Sequence, residues 1–424
     1  MSNRLAMRIL HVTQGYCPAI GGTELLIQRV SEELVRDFGD EVTVFTTDCY
    51  NGEAFFTPNL PRLPAGQTKV NGVCVRRFPV RSRLSRAVRG PQALAYRLRL
   101  PFNERLRALA GGPVMPGLRE AIRQWPGDLV AASSFPLLHM FDALEGAHAS
   151  GRPCILHGGL HPHDAWGFER PMIYRAIREA DGYIANTRYE ADYVIARGAL
   201  PERVHTVGVG VDLDGYEGIT TDEAKWRLGF DRCPVIGFIG QLARHKGIDT
   251  LLKAMPRVWQ REPDVNLLVA GGRTLFTDEV ERVMSGWPET FRRRLRYYPS
   301  FPHERKPWLF SAIDLLAYPS GYESFGIAYL EAWAAGKPVI GVRNGAIPTV
   351  INEDVDGLLV DYEEDEVLAG AILELLGDPA RARAMGQAGR SKVVARYTWQ
   401  RIAREFRRIY SQVVERPAVA RRVS

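Results

Sequence analysis

Pro319-Ser-Gly-Tyr-Glu323-Ser-Phe-Gly326-Ile-Ala-Tyr-Leu-Glu331-Ala-Trp-Ala-Ala-Gly336-Lys-Pro338-Val-Ile340 is the stretch on which the fold turns. It follows the apolar run Asp314-Leu-Leu-Ala-Tyr318, which reads as a buried strand, and it ends in another, Pro338-Val-Ile-Gly-Val342. Between them Glu323 falls in a turn, and Ser324, Phe325, Gly326 and Ile327 open a helix. Strand, turn, helix and strand in this order make a βα unit of a parallel sheet. The free N–H groups at such a helix start form an anion site suited to a diphosphate, and Gly326 lets a ligand come close to the backbone. Glu331 is expected about two turns into the helix, roughly 12 Å along its axis from Glu323. Two carboxylates so placed could grip hydroxyls on either side of a bound phosphate. A capping glutamate followed by an ordinary surface glutamate would leave the same spacing.

Outward from this unit the same alternation fills the chain. MRILHVT, EVTVFTT, GVCVRRF, DLVAASS, PCILHG, GYIANT and RVHTVGV read as strands, with helices expected over Thr23–Asp37, Pro136–Ala149, Pro171–Ala180 and Tyr189–Arg197. The polar segment Asp212–Asp222 breaks the rhythm and reads as a linker. A second series follows, VIGFIGQ, VNLLVAGG, LRYYP, DLLAYPS, PVIGV and DGLLVD, and the chain turns helical from about Pro379 to Glu415. Buried apolar strands alternating with amphipathic helices imply two parallel-sheet α/β domains. Ligands in such sheets sit beyond the carboxyl ends of the strands, so the loops there are where chemistry is sought.

Composition narrows the field. A chain of 424 residues suits two domains of roughly 200 residues, and 46% hydrophobic with 25% charged residues excludes wholesale disorder. Cys17, Cys49, Cys74, Cys154 and Cys233 are scattered with no CxxC, which argues against a disulfide scaffold or structural zinc and for a reducing cytoplasm. The start of the chain shows no cleavage signal, and no run of about 18 apolar residues occurs. The turn Gly15–Thr23 lacks the GxGxxG spacing, and Gly336-Lys337 lacks the context of a P-loop; GxSxG and HExxH are absent. Nicotinamide, P-loop and zinc chemistries fall back. The net charge of +6 is unevenly placed, with ten arginines against the single acid Glu104 between Arg76 and Arg107. That stretch reads either as a solvated arginine-rich face or as a contact with an anionic membrane surface or anionic acceptor; nucleic acid is not expected.

With Glu323, Glu331 and their surroundings in view, the stretch resembles the retaining glycosyltransferases of family 4, which have the GT-B fold. The resemblance continues through Pro18-Ala-Ile-Gly21-Gly22-Thr-Glu24, Val209-Gly-Val-Asp212, Gly240-Gln241-Leu-Ala-Arg244-His-Lys246-Gly247-Ile-Asp249, and Asn344-Gly-Ala-Ile-Pro348 with Asp356-Gly357-Leu-Leu-Val360. It implies two Rossmann-like domains facing a central cleft: an acceptor-binding domain over 1–212, a nucleotide-sugar-binding domain over 213–390, and a C-terminal helix over 391–424 that returns to the first domain.

The resemblance also implies roles. Lys246 and Arg244 would neutralise the departing nucleoside diphosphate, with no obligatory metal and no cofactor beyond the nucleotide sugar as co-substrate. Gln241 stands where the family usually has Arg. Glu323 would face the donor sugar and Glu331 the ribose. Gly21 and Gly22 would approach the donor phosphate, and the backbone around Ser300, Phe301 and Pro302 the base. His157, directly after the strand PCIL, would contact the donor sugar, with His161 or His163 nearer the acceptor; the histidine spacing matches no common zinc site. Thr349 stands where many relatives have an acid and is given no role. The expected activity is transfer of a hexosyl unit from a UDP- or GDP-sugar to the hydroxyl of an unidentified acceptor, lipid-linked or otherwise anionic if the arginine stretch bears on it. The enzyme is expected in the cytoplasm, or at the inner face of the membrane if that stretch binds lipid. A GT-B phosphorylase, a nucleotide-sugar epimerase and a non-catalytic nucleotide-sugar-binding protein share the architecture.

Overall fold

Strands whose residues are buried on both faces need helices on both sides, and this requirement organises the whole chain. The structure, a computed structural model, describes residues 6–19, 21–101 and 103–416. Ile20, Phe102 and residues 417–424 of the expected terminal helix lie outside that set. Two compact units form, one from residues 1–209 with 399–424 and one from 210–398.

The first unit holds an eight-stranded sheet of β1 (Arg8–Val12), β2 (Glu41–Thr47), β3 (Gly66–Val70), β4 (Val73–Phe78), β5 (Leu129–Ser133), β6 (Cys154–His157), β7 (Gly182–Ala185) and β8 (Val204–Thr206). The spatial order is β3-β4-β2-β1-β5-β6-β7-β8. All neighbours are parallel except β3 with β4. β5, β6 and β7 are buried throughout. β3 was not expected, because Gly-Gln-Thr-Lys-Val is an exposed polar edge. Its signal was the pair Asn71-Gly72, both at positive φ, as the two central residues of a tight hairpin require.

The second unit holds β9 (Val235–Ile239), β10 (Asn266–Ala270), β11 (Leu295–Tyr298), β12 (Leu315–Ala317), β13 (Val339–Val342) and β14 (Gly357–Val360). These form an all-parallel sheet in the order β11-β10-β9-β12-β13-β14. In each sheet the order reverses beside the unit's first strand, between β1 and β5 and between β9 and β12. Crevices at such reversals are the binding places of open α/β sheets.

The domain boundaries differ from expectation. The segment Asp212–Asp222 is no linker: a turn of 3-10 helix, Asp214–Tyr216, buries Tyr216, and the helix Thr221–Arg227 begins within it, so the second unit starts at Gly210. At the other end the helix Pro379–Arg396 stays with the second unit, and the division falls between Thr398 and Trp399 rather than at 390/391. The reason is packing: Met385, Gly389 and Val393 are buried, and a Cβ on Gly389 would lie 1.9 Å from the Trp333 ring.

The last helix, Trp399–Glu415, packs on the helix Gly22–Phe38 and buries Ile402, Phe406, Ile409 and Tyr410. Tyr410 meets the buried His11 at 3.0 Å, and Arg407 donates to both oxygens of the fully buried Asp40 at 2.9 and 3.1 Å.

Candidate active site

In the second unit two loops meet at the reversal of the sheet. The loop after β9 runs from Gly240 to Gly247, and the loop after β12 from Tyr318 to Gly326. Glycine makes their approach feasible. Gly247 has φ +76, and a Cβ there would lie 2.0 Å from the Pro319 carbonyl oxygen. The Gly321 N–H donates to the His245 carbonyl at 2.9 Å, joining the loops through the backbone.

This join brings together residues 77 apart in sequence. Lys246 Nζ donates to Glu323 Oε1 at 2.7 Å, and the two side chains are only 16% and 11% exposed. Tyr318 lies beside them. Its hydroxyl is held well above the usual tyrosine range by burial, with the charge of Glu323 adding to the effect. Burial and the neighbouring Lys246 push the His245 imidazole down.

The helix after this loop is shorter than expected. It spans Ile327–Ala334 with Gly326 as its cap at φ 93, where a Cβ would lie 2.5 Å from the Tyr329 ring. Ser324, Phe325 and Gly326 therefore form the bend before the helix rather than its first turn, because Gly326 in the left-handed region breaks the helical run. Glu331 is the fifth helical residue, about one turn in, not two. It too is paired: Lys306 Nζ donates to Glu331 Oε1 at 2.6 Å. Lys306 opens the helix Lys306–Ala312, just past the Ser300-Phe301-Pro302 loop. Sequence reasoning missed it, since nothing in its neighbourhood marks a lysine whose partner is 25 residues away. The four groups Lys246, Glu323, Lys306 and Glu331 balance in charge.

Arg244 does not join this cluster. Its side chain is 70% exposed and sits 3.6 Å from Asp249, and Gln241 is exposed on the same loop. The Thr349 hydroxyl donates to the Ala346 carbonyl within its own turn.

In the first unit, Gly21 precedes the helix Gly22–Phe38 in extended backbone, and the Glu24 carboxylate folds back over it to accept from Gln14 at 2.7 Å. His157 ends β6, is 3% exposed, and its ring centroid lies 5.6 Å from that of Phe406. Among the described residues neither ring nitrogen reaches a partner at hydrogen-bonding distance and angle. Burial lowers its pKa to about 4, against a smaller opposing pull from Asn186, so at neutral pH it is an uncharged imidazole able both to donate and to accept. His161 packs edge-on to Phe168 at 5.5 Å. Among the described residues no three His, Cys, Asp or Glu side chains are grouped to hold a metal ion. Among them, too, no helix is long and apolar enough to cross a membrane.

Comparison with known proteins gives consistent results over both units. Residues 20–214 match the family described as Glycosyltransferase Family 4, and residues 220–392 match Glycosyl transferases group 1. A D-inositol 3-phosphate glycosyltransferase of Segniliparus rotundus is 34% identical over 234 residues, covering 54% of this chain and 51% of that protein. One from Catenulispora acidiphila is 34% identical over 247 residues, covering 56% and 59%. The chain thus spans about half the length of the curated relatives it matches. Among solved structures, sucrose-phosphate synthase from Thermosynechococcus elongatus superposes with a TM-score of 0.69 at 20% identity, covering 96% of this chain and 99% of that one. The Anabaena protein HepE, in complex with UDP-glucose, gives 0.70 at 19% identity, covering 96% and 100%. At these identities the likeness is one of fold.

Proposed function

Since the chain belongs to the glycosyltransferases, family 4 in its first unit and group 1 in its second, we propose that it transfers a hexosyl unit from a UDP-sugar to an acceptor hydroxyl with retention at the anomeric carbon. Its two parallel-sheet units are the two halves of the GT-B fold. The observation that carries the proposal is the Lys246–Glu323 pair, held nearly dry where the loops after β9 and β12 meet. In the reaction the bond between the sugar's anomeric carbon and the diphosphate oxygen breaks. The acceptor oxygen bonds to the same face of that carbon, and the acceptor proton passes to the departing diphosphate. Lys246 would turn from Glu323 to the diphosphate as negative charge develops there, with Arg244 beside it on the loop. Glu323 would then be released to the donor sugar's hydroxyls. Glu331 would accept from the ribose, and Lys306 would fix its orientation. Ser324, Phe325, Gly326 and Ile327 would offer backbone N–H groups to the phosphates, and Gln241 would line the same loop as Arg244. His157, Gly21 and Gly22 are assigned to the donor as well, and the rest of the first unit's sheet end to the acceptor. UDP is preferred over GDP because HepE, of like fold, is solved with UDP-glucose.

The test is a thermal-shift titration with UDP, GDP and ADP, followed by turnover with the matching sugar donors. UDP at about 100 times its dissociation constant should stabilise by about 2.7 kcal/mol. A product of inverted configuration would refute the retaining course. Phosphate-dependent cleavage or an epimerised nucleotide sugar would favour the rival enzymes. UDP binding without turnover on any acceptor would favour a binding protein.

A peripheral contact with anionic lipid belongs to the same proposal. The helix Ser82–Arg97 buries Ser82, Ser85, Gln92 and Ala95 and turns Leu84 and Leu94 outward. Leu98 just beyond it is 59% exposed. Among the described residues Arg83, Arg86 and Arg97 beside them form no ion pair, so charge and apolar surface are presented together.

A further inference from the structure

Arginine is rarely buried without an acid to answer it, because an uncompensated charge in a poorly solvated place is strongly unfavourable. The first unit buries two arginines side by side, neither of them in an ion pair among the described residues. Arg107, on the helix Asn103–Gly111, is 7% exposed, and Arg170, just before the helix Pro171–Glu179, is 4% exposed. Both guanidiniums lie against one indole, that of Trp166, at 4.6 and 5.5 Å from its ring, and Tyr96 covers Arg107 from another side at 5.2 Å. Trp166 itself is 54% exposed, so the cluster reaches the surface through an aromatic side chain.

The donors are not satisfied. Among the described residues Nε and Nη2 of Arg107 are buried without a hydrogen-bond partner, while Arg170 gives its Nε to the Trp166 carbonyl at 3.3 Å. The two nearby acids, Glu104 and Asp164, act on both arginines through space without touching them. Glu104 accepts from the Met172 N–H at 2.7 Å and Asp164 from the Gly167 N–H at 2.8 Å. Among the described residues neither acid forms an ion pair with Arg107 or Arg170. Burial lowers the Arg170 pKa to about 10, with the positive charge of Arg107 adding to the effect and Asp164 and Glu104 opposing it. Trp166 and Arg170 follow the loop that leaves the carboxyl end of β6, the end at which α/β sheets receive ligands.

We propose that Arg107 and Arg170, clamped by Trp166 and Tyr96, form the seat of a dianionic oxyanion, the phosphate monoester of the acceptor. Two planar guanidinium forks match such a group in charge and in hydrogen-bonding geometry. The assignment to the acceptor rests on the transferase reading above; the seat itself does not.

The experiment is a calorimetric titration of the full chain with inorganic phosphate, run with and without saturating UDP. The wild type binds phosphate at millimolar concentration in both conditions. Arg107→Met and Arg170→Met each weaken it ~10-fold or more in the presence of saturating UDP, the loss of a charge-assisted bond. Arg107→Lys, which keeps the charge but not the fork, also weakens it and serves if the methionine variant does not fold. No phosphate binding by the wild type under saturating UDP, or wild-type affinity in all the arginine variants, would each overturn the seat. A missing UDP signal overturns the transferase reading and leaves the phosphate titration legible. Flotation on phosphatidic acid vesicles that free phosphate abolishes would assign the group to a lipid headgroup. Absence of flotation beside retained phosphate binding would assign it to a soluble ester. Either result sustains the seat.

Discussion

Replacing Lys246 with alanine separates the electrostatic role of the Lys246–Glu323 pair from its structural one. The pair is 2.7 Å long with side chains 16% and 11% exposed, so removal of the lysine leaves a carboxylate that water reaches only partly. Breaking a fully buried pair from one side costs about 3–5 kcal/mol, and the remaining exposure here brings the expectation to ~2 kcal/mol. For a unit of this size that is a fall of ~4–8 °C in melting temperature. Loss of one preorganised stabiliser of a departing anion lowers turnover by ~10²–10³-fold. The double variant Lys246→Met/Glu323→Gln removes both charges together and should regain most of the lost stability while staying inactive. Thermal melts followed by circular dichroism, beside a turnover assay that detects released nucleotide, read both quantities on one preparation. A Lys246→Ala protein that melts like the wild type would show that the pair does not carry stability in solution. A double variant with near-wild-type turnover would falsify the catalytic assignment outright.

Gly247→Ala should be strongly destabilising, by ~2 kcal/mol or more, because it adds backbone strain at φ +76 to a clash with the Pro319 carbonyl; an unchanged melting curve would mean that the two loops can part. Burial lowers the pKa of His11 to about 3 and of His139 and His157 to about 4, below the value of about 6.5 in the unfolded chain. The unfolded state therefore takes up protons first, and stability, complete above that value, falls as pH drops towards 4 by about 2 kcal/mol per histidine at pH 5. Melts of the wild type between pH 7 and 5 should show this slope and His139→Gln a shallower one; a flat profile contradicts the buried neutral state. Turnover is expected to persist in EDTA, and its abolition with rescue by a divalent cation would refute the metal-independent course. In liposome flotation the wild type should favour anionic over neutral vesicles, and Leu84→Ser/Leu94→Ser should lose the preference; equal partition of the wild type would remove the membrane contact.

The buried sheets were legible because their strands are apolar runs that no surface segment would carry, as in Val235–Ile239 and Leu129–Ser133. The helix Ser82–Arg97 was not, for it buries serine, glutamine and alanine and shows leucine to solvent, the reverse of the pattern that periodicity detects. Glu323, Lys246 and Glu331 stood out in sequence by their motifs. What they touch did not: the pairing of Lys246 with Glu323 depends on a backbone join between two loops, and that of Glu331 on Lys306 from a different helix. The helix start misjudged at Ser324 turns on a single left-handed glycine, whose conformation no local pattern announces. Arg107 and Arg170 were hidden for a further reason, since burial of a charged side chain is a property of tertiary structure alone.

The helix Trp399–Glu415 completes the first unit although the chain reaches it last. When residues 1–209 have left the ribosome, the surface that Phe406 and Tyr410 will cover is still bare and Asp40 has no arginine to answer it. The 189 residues of Gly210–Thr398 must be synthesised first, a delay of ~10–40 s at bacterial and eukaryotic elongation rates. Throughout that interval the nascent amino-terminal half presents an apolar groove fitted to an amphipathic helix, and a chaperone that holds such surfaces has its opportunity there. A nascent chain held with Thr398 just outside the ribosome would carry a finished second unit and an unfinished first one, so protease resistance along it should appear in the reverse of its sequence order.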